Sequence, residues 1–398
     1  MRTGRRGHGV ALRCIALSGF AILVGVPTPC AASLTLGAIV QDGDGSEREA
    51  EARAAERQRL LADLLARMEL GLQAEVLELG RPLVAPGGLL SSDGQAVATV
   101  ARALFAAGLE SDADELLDTA QVTPDTRPLI DLERARIALE RDQLDLARSL
   151  LQSDAGSESP VKHPLYPDSW LLLARVYARG GRLDLAGQLA RKMLDLDPLH
   201  AEAASAWHLL SRDAVRRRDG AAASECLERA EFMRNWHDVM RARRLQIRLA
   251  PADPLPRLGL ALGWMQVDRW SRAEATLEEL LTVAPDYCRA YFHLGEARRL
   301  AGDTDGAVAA YDLGLECNPT DLRLTMNRGL LRLVRGDVEA GIADLVRVVE
   351  SEQAGDPLFL SAHLELARAF RAKGDEARSQ AAYDRYVELG GQEPLEAD

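Results

Sequence analysis

The chain predicts an all-α fold, an α-solenoid of stacked antiparallel helix pairs, and three observations carry that expectation. Leu, Ala, Arg and Glu dominate the 398 residues while aromatics make up only 5%, a composition that suits helices packed on helices. No stretch alternates apolar and polar residues with period two, the mark of a half-buried strand. Pro285 and Pro319 stand 34 residues apart and bracket a pattern of aromatic, small and turn residues that returns elsewhere in the chain. Such self-similarity marks a unit whose apolar face is covered only by its neighbours.

Within that unit fall Tyr291, Leu294 and Gly295, then Gly302, Ala307 and Tyr311. Gly295 and Ala307 are small where two antiparallel helices cross closely, and Tyr291 and Tyr311 fill the space around the crossing. Gly302 permits the tight turn, and Pro319 stops the second helix. These spacings resemble the tetratricopeptide repeat (TPR). The resemblance covers residues 90 to 390, strongest over 167–198 and 254–319. It implies a right-handed superhelix whose first helices line a concave groove that binds peptides or protein segments.

In chain order, Arg2, Arg5, Arg6 and Arg13 precede an uncharged run, Cys14 to Val26, followed by Pro-Thr-Pro-Cys-Ala-Ala-Ser. A basic head, a short apolar middle and a small-residue end predict a signal peptide over 1–32. The run has 13 residues, short of the roughly 20 that span a bilayer. The processed protein is then exported, periplasmic or extracellular. A lipoprotein anchored through Cys30 is the alternative, which Pro27-Thr28-Pro29 fits poorly. A linker over 33–45 leads to Ser46-Glu47-Arg48-Glu49, a capping box.

Residues 46–153 read as helical hairpins with degenerate units. One pair breaks at Gly71 and ends at Pro82 and Pro86; one is centred on Ala96, Gly108 and Ala113; the next has Asp142 in place of the turn glycine. Residues 154–167 form a proline-rich connection. Residues 168–250 hold a clear unit (Trp170, Leu173, Ala174, Tyr177, Gly181, Ala186, Pro198) and one with Gly220 displaced by two positions. The stretch Glu231 to Leu249 lacks a turn glycine and predicts an extended second helix or an extra helix, its aromatics and methionines serving core packing. Residues 251–392 complete the array, and 393–398 form a disordered acidic tail.

Net charge is −13, and without the first 32 residues the balance is 44 basic to 61 acidic. That repels nucleic acid unless a basic face is segregated. Cleavage leaves three cysteines, Cys226, Cys288 and Cys317. Antiparallel packing brings Cys288 and Cys317 to the same side, so a disulfide is conceivable, and two small buried fillers are the preferred reading. Phosphate loops, nucleophile elbows and zinc motifs are missing from the sequence, and the seven histidines show no metal-ligand spacing. No cofactor is expected, and the reading is non-enzymatic.

Placing the family's groove positions on this chain implies partner-binding residues Arg175, Arg179, Arg212, Arg216, Arg289, Phe292, Arg299, Arg323, Arg368 and Arg371. Leu258, Leu262, Met265, Met326 and Leu330 fall among them. The lysine-asparagine clamp of some family members is unmatched, because Phe292 and Glu296 stand where its residues belong. The expectation is an exported scaffold for a protein or peptide partner, acidic with apolar anchors, in an envelope assembly, touching the membrane only indirectly unless Cys30 is lipidated. A bland reading makes these arginines solvated helix surface. Two other classes stay open: a carbohydrate- or small-ligand-binding solenoid, and an enzyme with its site at the 154–167 junction.

Overall fold

The computed structural model describes residues 45–121, 123–124, 126–152, 167–351 and 356–395. The signal peptide, nearly all of the linker and the proline-rich connection lie outside these residues, as do the side chains of Ser46, Glu47 and Arg48 in the proposed capping box. The chain divides into two units, Met1–Arg53 and Ala54–Asp398; of the first, only the opening turns of one helix are described.

Among the described residues the secondary structure is helical, with no strand. The helices are α1 (Gly45–Glu69), α2 (Gln73–Val84), α3 (Gly94–Ala106), α4 (Glu110–Thr119), α5 (Arg127–Glu140), α6 (Leu144–Leu151), α7 (Pro167–Arg179), α8 (Leu183–Leu196) and α9 (Ala203–Arg216). They continue as α10 (Gly220–Leu249), α11 (Pro254–Met265), α12 (Trp270–Val283), α13 (Arg289–Leu300), α14 (Thr304–Cys317), α15 (Leu322–Val334) and α16 (Val338–Val349). A 3-10 turn, Pro357–Phe359, precedes α17 (Leu360–Ala372) and α18 (Glu376–Glu388). Helices adjacent in sequence pack together as pairs, from α3 with α4 to α17 with α18, and each first helix also meets the preceding pair.

The pairing follows from spacing. In α8, Ala186, Leu189, Ala190 and Met193 recur at helical period and are all buried. Removing a side chain the size of Leu189 or Met193 from water is worth roughly 1.5–3 kcal/mol each. At the best-formed crossing, Ala307 and Tyr311 have no exposed surface, and a Cβ on Gly295 would overlap the Tyr311 ring. Gly295 is therefore small because that ring occupies its side-chain space.

Most turns between paired helices place glycine at positive φ, as Gly302 does at 87°. Asp142, as expected, and also Arg218 and Asp268 take that left-handed position without glycine, at φ 56–60°. Gly220 is thus the first residue of α10 and leaves the turn to Arg218. Aspartates next to the turns then cap second helices: Asp303 accepts from the Gly306 amide at 2.9 Å and Asp219 from the Ala222 amide at 3.0 Å. Each such cap satisfies a donor that the helix start would leave unpaired.

The stretch after Glu231 is an extended second helix. No glycine or proline interrupts the chain between Gly220 and Ala250, so α10 runs for 30 residues. Its stretch from Glu231 on buries Met233, Trp236 and Met240. The Trp236 Nε1–H donates to the Gly263 carbonyl at 2.7 Å, and its ring meets Trp264 edge-on at 5.4 Å. These side chains are core. The far end of α10 reaches the first hairpin, with Arg244 3.3 Å from Glu69 and Arg248 2.9 Å from Glu75. Helix α2 runs through Pro82 and stops at Val84, two residues before Pro86. At the other end, the Tyr383 hydroxyl donates to the Glu393 carbonyl (3.2 Å), and Arg368 Nη2 to that of Pro394 (3.3 Å). No described helix is long and apolar enough to cross a membrane.

Candidate partner-binding surface

The first helices α3, α5 and α7 carry an Ala-Arg step at the same place in their units: Ala101-Arg102, Ala135-Arg136 and Ala174-Arg175. Each alanine is fully buried, so each arginine leaves the crossing on the same side of its helix. Like charges on successive helices repel, and carboxylates stand between them. Arg102 Nε lies 3.1 Å from Glu133, whose side chain is only 3% exposed. Arg136 reaches Glu133 (3.4 Å), Asp168 (3.3 Å) and Glu202 (3.1 Å). Arg175 pairs with the same Glu202 and donates to Ser205 Oγ at 3.1 Å. His200 Nε2 lies 3.5 Å from Asp168.

This network sets its own charge states. Burial alone pushes the Asp168 carboxyl up, but the hydrogen bond and charge of His200 and the charges of Arg136 and Arg102 outweigh it. The result lies well below the ordinary carboxylate range. Burial likewise opposes the imidazolium of His200, and Asp168 overcomes it, so that pKa is raised. Glu202 is lowered, with Arg136 and Arg175 overcoming its burial. Buried ion pairs of this kind hold position, because removing one partner strands the other's charge.

In the later pairs the first helices are arranged differently. Arg323 lies over the Phe292 ring at 5.2 Å and shares Asp321 at 3.4 Å. His293 meets the same ring edge-on. Burial, followed by the charges of Arg289 and Arg323, holds His293 below its ordinary pKa. Arg289 is exposed and makes no hydrogen bond or ion pair to another described residue. Glu296 accepts from the Tyr311 hydroxyl, from Arg299 at 2.8 Å and from Asn327 at 3.1 Å. Burial would raise its pKa, and the bonds from Arg299 and Tyr311 bring it down instead. Glu296, at the position of the clamp asparagine of some family members, thus ties α13 to α14 and α15.

The ten residues expected to bind a partner therefore divide. Arg175 is held by Glu202, Arg179 by the Leu139 carbonyl and Glu140, and Arg216 by Asp213. Arg299 pairs with Glu296, and Arg368 with Glu365; Arg371 also interacts within the chain. Arg212 and Arg289 have no such pairing among the described residues, and Arg323 with Phe292 forms a cation–aromatic face between two first helices. Of the apolar residues among them, Leu258 and Met326 are buried, at 6% and 8% exposure. They pack the core and are closed to a partner, while Leu262, Met265 and Leu330 are half-buried.

Sequence reasoning missed Arg102, Glu133, Arg136, Asp168 and Glu202. The repeated Ala-Arg step was a usable signal for the two arginines; the acids sit at unrelated register positions and had none. Cys288 and Cys317 form a disulfide, Cα to Cα 5.5 Å, which corrects the preferred reading of two buried fillers. Both are only half-buried at the open end of their helix pair, where a filler gains little. Cys226 is free and half-buried. A cavity of about 360 Å³ lies between α8 and α9, lined by Gly187, Lys192, Asp195, Asp213 and Arg217 among others. Among the described residues no group of three His, Cys, Asp or Glu could hold a metal ion.

A family model described as tetratricopeptide repeat matches residues 132–201, 258–321 and 326–394, together just over half of the chain. The unmatched stretch between the first two segments contains α9 and the long α10. A Hsp70-Hsp90 organizing protein of Triticum aestivum is 33% identical over 98 residues, 25% of this chain and 14% of that relative's length. Among solved structures, one of MamA is 16% identical with a TM-score of 0.35, covering 45% of this chain and 93% of that one. MamA 41-end from Desulfovibrio magneticus RS-1 is 17% identical with a TM-score of 0.35, covering 47% and 94%.

Proposed function

Because the chain belongs to the tetratricopeptide repeat family, we propose that it is an exported, non-catalytic scaffold that docks a partner protein segment along its first helices within an envelope assembly. The observation that carries the partner's chemistry is the Arg289–Phe292–Arg323 cluster. It offers an unpaired guanidinium on Arg289 and a second one on Arg323, which lies over the Phe292 ring and is shared weakly with Asp321. Such a surface suits an acidic segment with apolar anchors, each carboxylate gripped by charge-assisted hydrogen bonds. Arg212 supplies a further point of contact on α9.

Two observations support export. The N-terminal basic head and short apolar run have the form of a signal peptide. The Cys288–Cys317 disulfide is of a kind that persists in oxidising compartments and is rare in reducing ones. A sugar-binding solenoid gains less support. One face each of Trp170 and Trp207 is covered, by Lys192 (4.9 Å) and Arg229 (5.1 Å), which leaves less aromatic surface for a saccharide.

The test is crosslinking of the exported protein in its native envelope, followed by capture with wild type and with Arg289→Gln/Arg323→Gln. Loss of roughly tenfold in affinity for the crosslinked partner, about 1.4 kcal/mol, with weakening as salt rises, is the expected result. A partner held equally by both proteins at low and high salt sinks the reading. Intact mass of the envelope form is expected to place the N-terminus near Ser33, without lipid.

A further inference from the structure

We infer that the Cys288–Cys317 disulfide is a redox-sensitive staple that holds the first turn of α13, which has no side-chain cap, in place together with Arg289 and Phe292. The inference deepens the groove reading, on which it rests only in treating those two residues as partner-facing.

The neighbouring first helices start on aspartate caps. Asp253 accepts from the Leu255 amide at 3.0 Å ahead of α11, and Asp321 from the Arg323 amide at 3.0 Å ahead of α15. At α13 the capping position is Cys288, and no side-chain bond caps the helix there. Its first-turn amides rest on backbone carbonyls alone, Ala290 on Tyr287 at 2.9 Å and Tyr291 on Cys288 at 3.3 Å, so the start of the helix holds only while the Tyr287–Cys288 backbone stays in place. Cys288 is instead bonded to Cys317, the last residue of α14. The pair α13–α14 is consequently closed at both ends, by the Gly302 turn at one and by the disulfide at the other. Residues 289 and 292 lie within the turn that follows the staple.

Both sulfurs belong to half-buried residues, open to a dithiol reductant. One thiolate of the dithiol attacks a sulfur of the bridge, forming a mixed disulfide and releasing one cysteine thiolate. The second dithiol sulfur displaces the other cysteine, and the reagent leaves as its own disulfide. Two electrons pass to the protein, and two protons end on Cys288 and Cys317. In that state the turn lacks both cap and staple.

Hydrogen exchange of the full chain, oxidised and then reduced by dithiothreitol without denaturant, reads this directly. Alkylation must show that reduction adds two reactive thiols. The amides of Ala290 to His293 are expected to exchange roughly five- to tenfold faster after reduction, the scale of a lost cap, with α11 and α15 unchanged. An NMR titration gives a second readout. His293 faces Arg289 and Glu296 on its own helix and Arg323 from α15; fraying exposes it and moves Arg289 away, so its pKa is expected to rise on reduction.

Cys317→Ala should behave as the reduced form. Cys288→Ala/Cys317→Ala should do the same, since the backbone at Cys288 is already helical (φ −52°, ψ −30°) and leaves no side-chain cap to fall back on. Equal exchange and equal His293 titration in both redox forms would overturn the inference. So would free thiols at both positions in protein isolated without reductant, or protection in either alanine variant equal to that of the oxidised wild type. None of these readouts uses a partner, so their failure is distinct from a failure of the groove reading.

Discussion

The first and second halves of the array place arginines on their first helices and use them for different ends. From α3 to α9, Arg102, Arg136 and Arg175 are consumed by Glu133, Asp168 and Glu202, which tie successive first helices together. From α13 to α16 the comparable network, Arg328 and Arg332 with Asp312 and Asp344, joins α14, α15 and α16, and leaves Arg323 over the Phe292 ring and Arg289 exposed. A guanidinium in a repeat is thus a strut or a reader according to whether an acid from the next helix reaches it. Register alone does not distinguish the two.

The sharpest way to break this contrast is Glu133→Gln. Its carboxylate is nearly fully buried between two arginines, and removing its charge leaves Arg136, 17% exposed, with one partner fewer. Stranding a buried charge costs about 3–5 kcal/mol; the low end applies, because the Arg102 side chain is 38% exposed. A urea midpoint unchanged from wild type would show that the first-half arginines are as dispensable as surface ones. In the second half, Ala307→Leu tests packing where no charge is involved. Ala307 has no exposed surface beside the Gly295–Tyr311 crossing, and overpacking there should cost about 1–3 kcal/mol. Thermal unfolding at the wild-type temperature would place the crossing elsewhere.

The fold was legible because its signals are local. Gly302, Gly295, Ala307 and Tyr311 each do at the crossing what their size predicts, and Asp142 could be read as a glycine substitute because aspartate tolerates the left-handed region better than most residues. The uninterrupted stretch to Leu249 showed that the helix was long but left open whether it was one helix or two. The surface was less legible, for a physical reason. An arginine's job depends on which carboxylate lies within about 4 Å, and Glu133, Asp168 and Glu202 come from positions with no fixed relation to the repeat. Leu258 and Met326 were misplaced similarly, since a half-turn of rotation separates a groove position from a packing one. The disulfide needed the open end of the hairpin to be seen, where a 5.5 Å Cα separation suits a bridge.

The smallest expected effect sharpens the first-half network through pH. His200 faces Asp168 of α7, which also pairs with Arg136 of α5, and Glu202 and Asp197 of its own turn and His237 of α10. Its folded-state pKa is raised above the ordinary value, about 6.5. A raised histidine contributes stability that is complete below the unfolded pKa and fades as pH rises through the folded one. Asp168 is depressed, so its contribution is lost only on acidification, far below this window. His237 is depressed by burial and works the other way, destabilising the fold at and below about pH 6.5, but it is common to both proteins compared. Wild type should therefore exceed His200→Gln in melting temperature most at about pH 6, with the gap narrowing toward about pH 9. A gap that stays level or widens over that range would mean that His200 is not held as an imidazolium by Asp168, and the first-half network would lose its only titrating member near neutrality.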